Sequence, residues 1–67
     1  MNISGRNKLT GTIKDIKNGT VMSQITLDVG GQLVVSAITN DSALELALNV
    51  GDNVKALIKS TDVMIMK

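Results

Sequence analysis

The 67-residue chain has no cysteine, histidine, proline, phenylalanine, tyrosine or tryptophan. Each absence removes a class of function. Without cysteine there is no disulfide framework and no thiolate metal site. Without histidine the commonest metal ligand and the usual general base are missing, and a serine or threonine nucleophile has no imidazole partner. Without aromatic rings, a single-strand nucleic-acid binder has no stacking platform. Charge is sparse as well: seven Lys and Arg against six Asp and Glu leave a net +1, far from the clustered basic excess of a duplex binder. These gaps argue against an enzyme, a catalytic cofactor, a cation site and a nucleic-acid partner. The longest strongly apolar run, residues 63–66, is too short to span a membrane. The opening residues 1–7 lack the apolar stretch of a secretory leader. The expectation is a cytoplasmic protein without a membrane partner.

What the chain does have is apolar residues, at 43%, enough for one small domain over residues 1–67. Domains below roughly 70–80 residues seldom stand on one core and usually add a disulfide, a metal or an oligomeric interface. With the first two excluded, self-association is the expected support.

The apolar residues alternate as in strands. Leu9, Gly11 and Ile13 share a face of a first strand, and Ile16 breaks the phase, which predicts a bulge or the strand's end. Asn18-Gly19 is a hairpin signal. Val21, Ser23, Ile25, Leu27 and Val29 then line one face of a second strand, and Gly30-Gly31 turns the chain again. A third strand is apolar on both sides, with Leu33, Val35 and Ala37 opposite Val34, Ser36 and Ile38. Val34 and Ile38 are assigned to the outer, subunit-facing side. Ser42-Ala43-Leu44-Glu45 reads as a capping box opening a short helix, with Leu44, Ala47 and Leu48 as its apolar stripe. Val54, Ala56 and Ile58 mark a fourth strand, and residues 63–66 a fifth. The fold class expected is all-β with one short helix: a five-stranded OB-type barrel with the helix between strands 3 and 4. An SH3-like barrel is the nearest rival.

Two polar clusters stand out. Ser4, Gly5, Arg6 and Asn7 precede the first strand; Lys59, Ser60 and Thr61 separate the last two. Both offer a cation, hydroxyl or amide donors and no carboxylate before Asp62. An acceptor-only ligand such as a tetrahedral oxyanion needs that kind of lining. A polar lead-in and a solvated loop would look the same. The six acids are scattered without calcium-loop spacing, and Gly30-Gly31 lacks the lysine of a phosphate-binding loop.

The two clusters also carry a resemblance. The opening Ile3-Ser4-Gly5-Arg6-Asn7 with Leu9-Thr10-Gly11, the Asn18-Gly19 turn, the run Ser36-Ala37-Ile38-Thr39, and the close from Ala56 through Lys59-Ser60-Thr61 to Met64 together resemble the molbindins. These are small Mop-type molybdate-binding proteins, and the likeness spans residues 3–66. The resemblance implies an OB-type fold, a homohexamer, and molybdate or tungstate held between subunits and stored or buffered there. It implies oxyanion contacts from Ser4, Arg6, Asn7, Lys59, Ser60 and Thr61. Gly5, Gly19, Thr20 and Val21 are the further candidates, the turn residues giving backbone donors from a neighbouring subunit. Gly5 stands where alanine is frequent in such proteins. A pterin, also associated with the family, would find no ring here to stack on. The alternative reading is an OB-type module that binds a protein or nucleic-acid partner.

Overall fold

A computed structural model describes residues 7–67. Four strands form one antiparallel sheet: β1 (Asn7–Asn18), β2 (Met22–Val29), β3 (Gln32–Thr39) and β4 (Asn53–Ile58), in the order β3-β2-β1-β4. A short helix, α1 (Asn40–Glu45), follows β3.

The long first strand serves both neighbours. Its start pairs with β4, Asn7 to Ile58 through Thr12 to Asn53, and its end pairs with β2, Thr12 to Asp28 through Asn18 to Ser23. Within the β1–β2 ladder lies the expected bulge: Ile13 pairs with Leu27 but Asp15 with Thr26, so Lys14 is the extra residue. That one-residue insertion lets Ile13 and Ile16 both face inward despite their odd spacing. Gly11 is required by close approach, since a Cβ there would sit 2.8 Å from a Val29 methyl and 2.9 Å from the Asp28 carbonyl oxygen. The loop before β4 is stitched to the bulge by Ile13 N–H to Asp52 O (2.9 Å) and Gly51 N–H to Ile13 O (2.8 Å).

Ile13, Ile25 and Leu27 are the buried core, ringed by half-buried Ile16, Val29, Val34, Ile38, Leu48, Val54 and Ala56. The third strand therefore corrects the expectation. Val34 lies across from the buried Leu27 and packs on the core; the outer apolar face is Leu33 and Val35, 58% and 59% exposed. Cross-strand partners share a face, so β2 decides which side of β3 is inner.

Three other expectations change. The helix cap is Thr39, whose hydroxyl oxygen accepts from Ser42 N–H at 3.1 Å, and Ser42 sits inside the first turn. The helix ends by Leu46, Ala47 takes a positive φ of 50°, and Leu44 points to solvent, so only Leu48 of the stripe packs on the core. Residues 63–66 form no strand, and Met64, Ile65 and Met66 are almost wholly exposed. Their apolar side chains suit a pleated, half-buried surface, and the lone chain brings none against them. The described strands thus form an open sheet: β3 and β4 face each other across an apolar groove of about 990 Å³ floored by Ile13, Ile25 and Leu27.

Candidate functional site

The ladder between β1 and β4 closes on the pair Asn7 and Ile58. Ile58 is followed at once by Lys59, Ser60 and Thr61, so the register sets Asn7 beside the closing cluster although some fifty residues intervene. Lys59 leaves the strand with extended backbone, φ −63° and ψ 140°, and Ser60–Asp62 make one 3-10 turn, with Asp62 N–H donating to Lys59 O at 2.9 Å. All three cluster residues are exposed. Ser4, Gly5 and Arg6 lie outside the described residues.

Gly19, Thr20 and Val21 are elsewhere. They form the β1–β2 connection, at the far end of the 12-residue first strand from Asn7. At about 3.3 Å per residue that strand runs roughly 36 Å along its path, in a molecule whose longest extent is 34 Å, so the two regions lie at opposite ends of the sheet. One chain cannot put both around one small anion.

This connection also differs from the expected tight Asn-Gly turn. The positive φ angles that such a turn needs occur instead at Gly30 (60°) and Gly31 (92°) in the β2–β3 hairpin. Gly19 is needed for space, because a Cβ there would lie 2.9 Å from Met22 O. Its own N–H is taken, donating to Met22 O at 2.8 Å. Two of the loop's three carbonyls are taken as well: Val21 O accepts from Asn40 N–H at 2.8 Å, and Gly19 O from Asn40 Nδ2 at 3.0 Å. Among the described residues, the N–H groups of Thr20 and Val21 find no acceptor, and both residues are exposed.

Beneath the loop lies a polar node that the sequence reading passed over. Ser23, 1% exposed, is the buried polar residue of the sheet. Its hydroxyl is within hydrogen-bond reach of Asn18 Oδ1 at 2.8 Å and of Asn40 Oδ1. A signal was present: Ser23 interrupts the apolar face of Ile25, Leu27 and Val29, and a buried hydroxyl demands partners. Asn40 carries no such signal, because it stands among three other residues of the helix-capping type, Thr39, Asp41 and Ser42.

Among the described residues there is no cluster of His, Cys, Asp or Glu able to hold a metal ion. The donor set, Asn7 with Lys59, Ser60 and Thr61 at one end and free amides at the other, suits an oxyanion. Comparison with known proteins agrees with that chemistry. The family model of the TOBE domain matches residues 3–65. Molybdenum-pterin-binding protein 1 of Clostridium pasteurianum is 42% identical over 67 residues, covering 98% of each chain. A molybdate-binding protein from Sporomusa ovata has the same fold, with TM-score 0.95 and 51% identity over the whole of both chains. The cytoplasmic molybdate-binding protein ModG, solved with molybdate bound, superposes with TM-score 0.83 at 39% identity over 90% of this chain and 43% of its own. On sequence and fold alike, the chain belongs to the TOBE-domain family and, within it, to the molbindins.

Proposed function

We propose that this protein binds molybdate, and tungstate alongside it, at the subunit interfaces of a homohexamer, and that it stores or buffers the oxyanion in the cytoplasm without catalysing a reaction. The observation that carries this reading is the pairing of Asn7 with Ile58, which puts Asn7 beside Lys59, Ser60 and Thr61 at one end of the sheet; Ser4 and Arg6 precede Asn7 within three residues of the sequence. Arg6 and Lys59 offset the charge of the dianion. Ser4, Asn7, Ser60 and Thr61 donate to its oxygens, with Gly5 leaving the backbone open. Charge-assisted bonds of this kind contribute about 1.5–3 kcal/mol each when the partners are desolvated, and an interface supplies the desolvation that an exposed strand end lacks.

The remainder of the donor set comes from the 19–21 loop of a neighbouring copy, since its own chain holds that loop at the opposite end of β1. Self-association is supported by the outer face of Leu33 and Val35 and by the exposed residues 63–66. In the assembly, residues 63–66 lie as a fifth strand in the β3–β4 groove of another copy and close a five-stranded OB-type barrel. The groove is apolar, and edge strands on both of its sides have unpaired backbone groups to offer.

The test is calorimetric titration with molybdate, tungstate, sulfate and phosphate. Saturable binding of molybdate and tungstate, much weaker binding of the other two, and a stoichiometry tied to the oligomer are expected. Absence of molybdate binding by the assembled protein would refute the reading.

A further inference from the structure

We infer that Asn40, anchored by the buried hydroxyl of Ser23, is a positioning residue that turns the 19–21 loop into an anion-facing donor surface; this rests on the oxyanion reading above. A peptide loop presents as many carbonyl oxygens as N–H groups, and toward an anion the two cancel. In this loop they do not cancel. Asn40 covers Val21 O with its backbone N–H (2.8 Å) and Gly19 O with its side-chain Nδ2 (3.0 Å), while Gly19 N–H covers Met22 O (2.8 Å). Among the described residues, what remains without a partner is two N–H groups, those of Thr20 and Val21, against the single carbonyl of Thr20, with the Thr20 hydroxyl beside them, so donors outnumber acceptors on this exposed loop.

The orientation of the Asn40 amide matters, because its oxygen in place of its nitrogen would repel Gly19 O. Ser23 fixes that orientation. Its hydroxyl has one proton, which goes to Asn40 Oδ1 and leaves Nδ2 for Gly19 O. The same hydroxyl oxygen lies 2.8 Å from Asn18 Oδ1; one proton cannot serve both acceptors, so its assignment to Asn40 requires the Asn18 amide to be turned with its NH₂ toward the serine oxygen. Asn18 and Ser23 form the last pair of the β1–β2 ladder, and Met22 pairs with Thr39 just before Asn40. The node therefore joins the ends of three strands and the start of α1 directly under the loop. None of its three side chains needs to touch the ligand.

The test compares Asn40→Ala, Asn40→Asp and Ser23→Ala with the wild type. Each is measured by molybdate calorimetry, thermal unfolding and light scattering, together with amide resonances of Thr20 and Val21 during titration. Asn40→Asp keeps the acceptor for Ser23 but has no N–H for Gly19 O and adds a negative charge, so a loss of affinity shared with Asn40→Ala, which adds none, is assigned to the uncovered carbonyl. With Gly19 O uncovered and the loop free to carry one of its amides out of reach of the anion, molybdate affinity is expected to be at least about tenfold weaker in Asn40→Ala and Asn40→Asp, with oligomer size retained. The wild-type Thr20 and Val21 amide resonances should shift on molybdate addition, and those shifts should shrink in the variants. A merely structural role would lower the melting temperature and leave the affinity of the folded protein unchanged. Folded, assembled variants that bind molybdate within about twofold of wild type would overturn the inference and leave the function standing. Should Asn40→Ala fail to fold, Asn40→Asp and Ser23→Ala decide the matter by the same criteria. A wild type that binds no molybdate removes the parent reading instead, and wild-type binding without amide shifts removes only the role of the loop.

Discussion

A site divided between two copies can be demonstrated by complementation. The first perturbation is Ser60→Ala, which deletes a hydroxyl from the cluster beside Asn7. The second is Gly19→Ala at the other end of β1, where the added Cβ would stand 2.9 Å from Met22 O and force the loop to move. Each change alone should lower molybdate affinity by about 1–3 kcal/mol, five- to 150-fold. The two regions lie at opposite ends of β1 in one chain, so a site that uses both takes its cluster from one copy and its loop from the next. When the variants are unfolded together in equal amounts and refolded, random assembly leaves each half intact with a probability of one half. Roughly a quarter of the sites then recover both halves. Calorimetry should show a high-affinity fraction near that value, absent from either parent and from parents refolded apart and mixed afterwards. Mixed oligomers, verified by mass spectrometry, that bind no better than the parents would refute the division of the site.

Other outcomes follow from the same structure. Arg6→Ala should weaken molybdate binding by about 1.5–3 kcal/mol, whereas Lys55→Ala, on the exposed face of β4 opposite Thr10, should leave titration curves unchanged. Val35→Asp places a charge on the outer face of β3 and should yield a folded protein of reduced mass in light scattering. Val34→Asp instead places it against Leu27 and should abolish the folded circular dichroism signal, since an unpaired charge in the core costs several kcal/mol. Deleting residues 63–67 should leave the groove uncovered and lower the oligomer mass; an unchanged mass would exclude the proposed fifth strand.

Strand positions in this chain were legible because polar and apolar residues alternate, and Ile13, Ile25 and Leu27 landed in the core as their phase requires. The inner side of β3 was not legible, because Leu33 and Val35 are as apolar as Val34 and Ile38. Its register with β2 settles that choice, and register is a non-local property. The helix start was ambiguous for a related reason: Thr39, Asn40, Asp41 and Ser42 are all capping residues, and the geometry of the β3 exit selects the first. In the candidate site, side-chain chemistry pointed to Asn7, Lys59, Ser60 and Thr61, and the β1–β4 ladder places Asn7 against the closing cluster. The roles of Asn18, Ser23 and Asn40 depend on three elements meeting, so spacing along the chain conceals them.

The extra residue at the bulge has a meaning beyond the bend it makes. Lys14 is a spacer in the measuring sense. Removing it would let Ile13 and Asp15 follow one another across from Leu27 and Thr26 without interruption, and Ile16 would keep its inward face. The hydrophobic code of the strand would survive intact, yet β1 would be one residue shorter, about 3.3 Å. The distance from Asn7 to the 19–21 loop is therefore set separately from the pattern that folds the sheet. Length is a variable that can be tuned here without rewriting the core, and in the proposed assembly it sets how far apart each copy holds its two contributions to neighbouring sites.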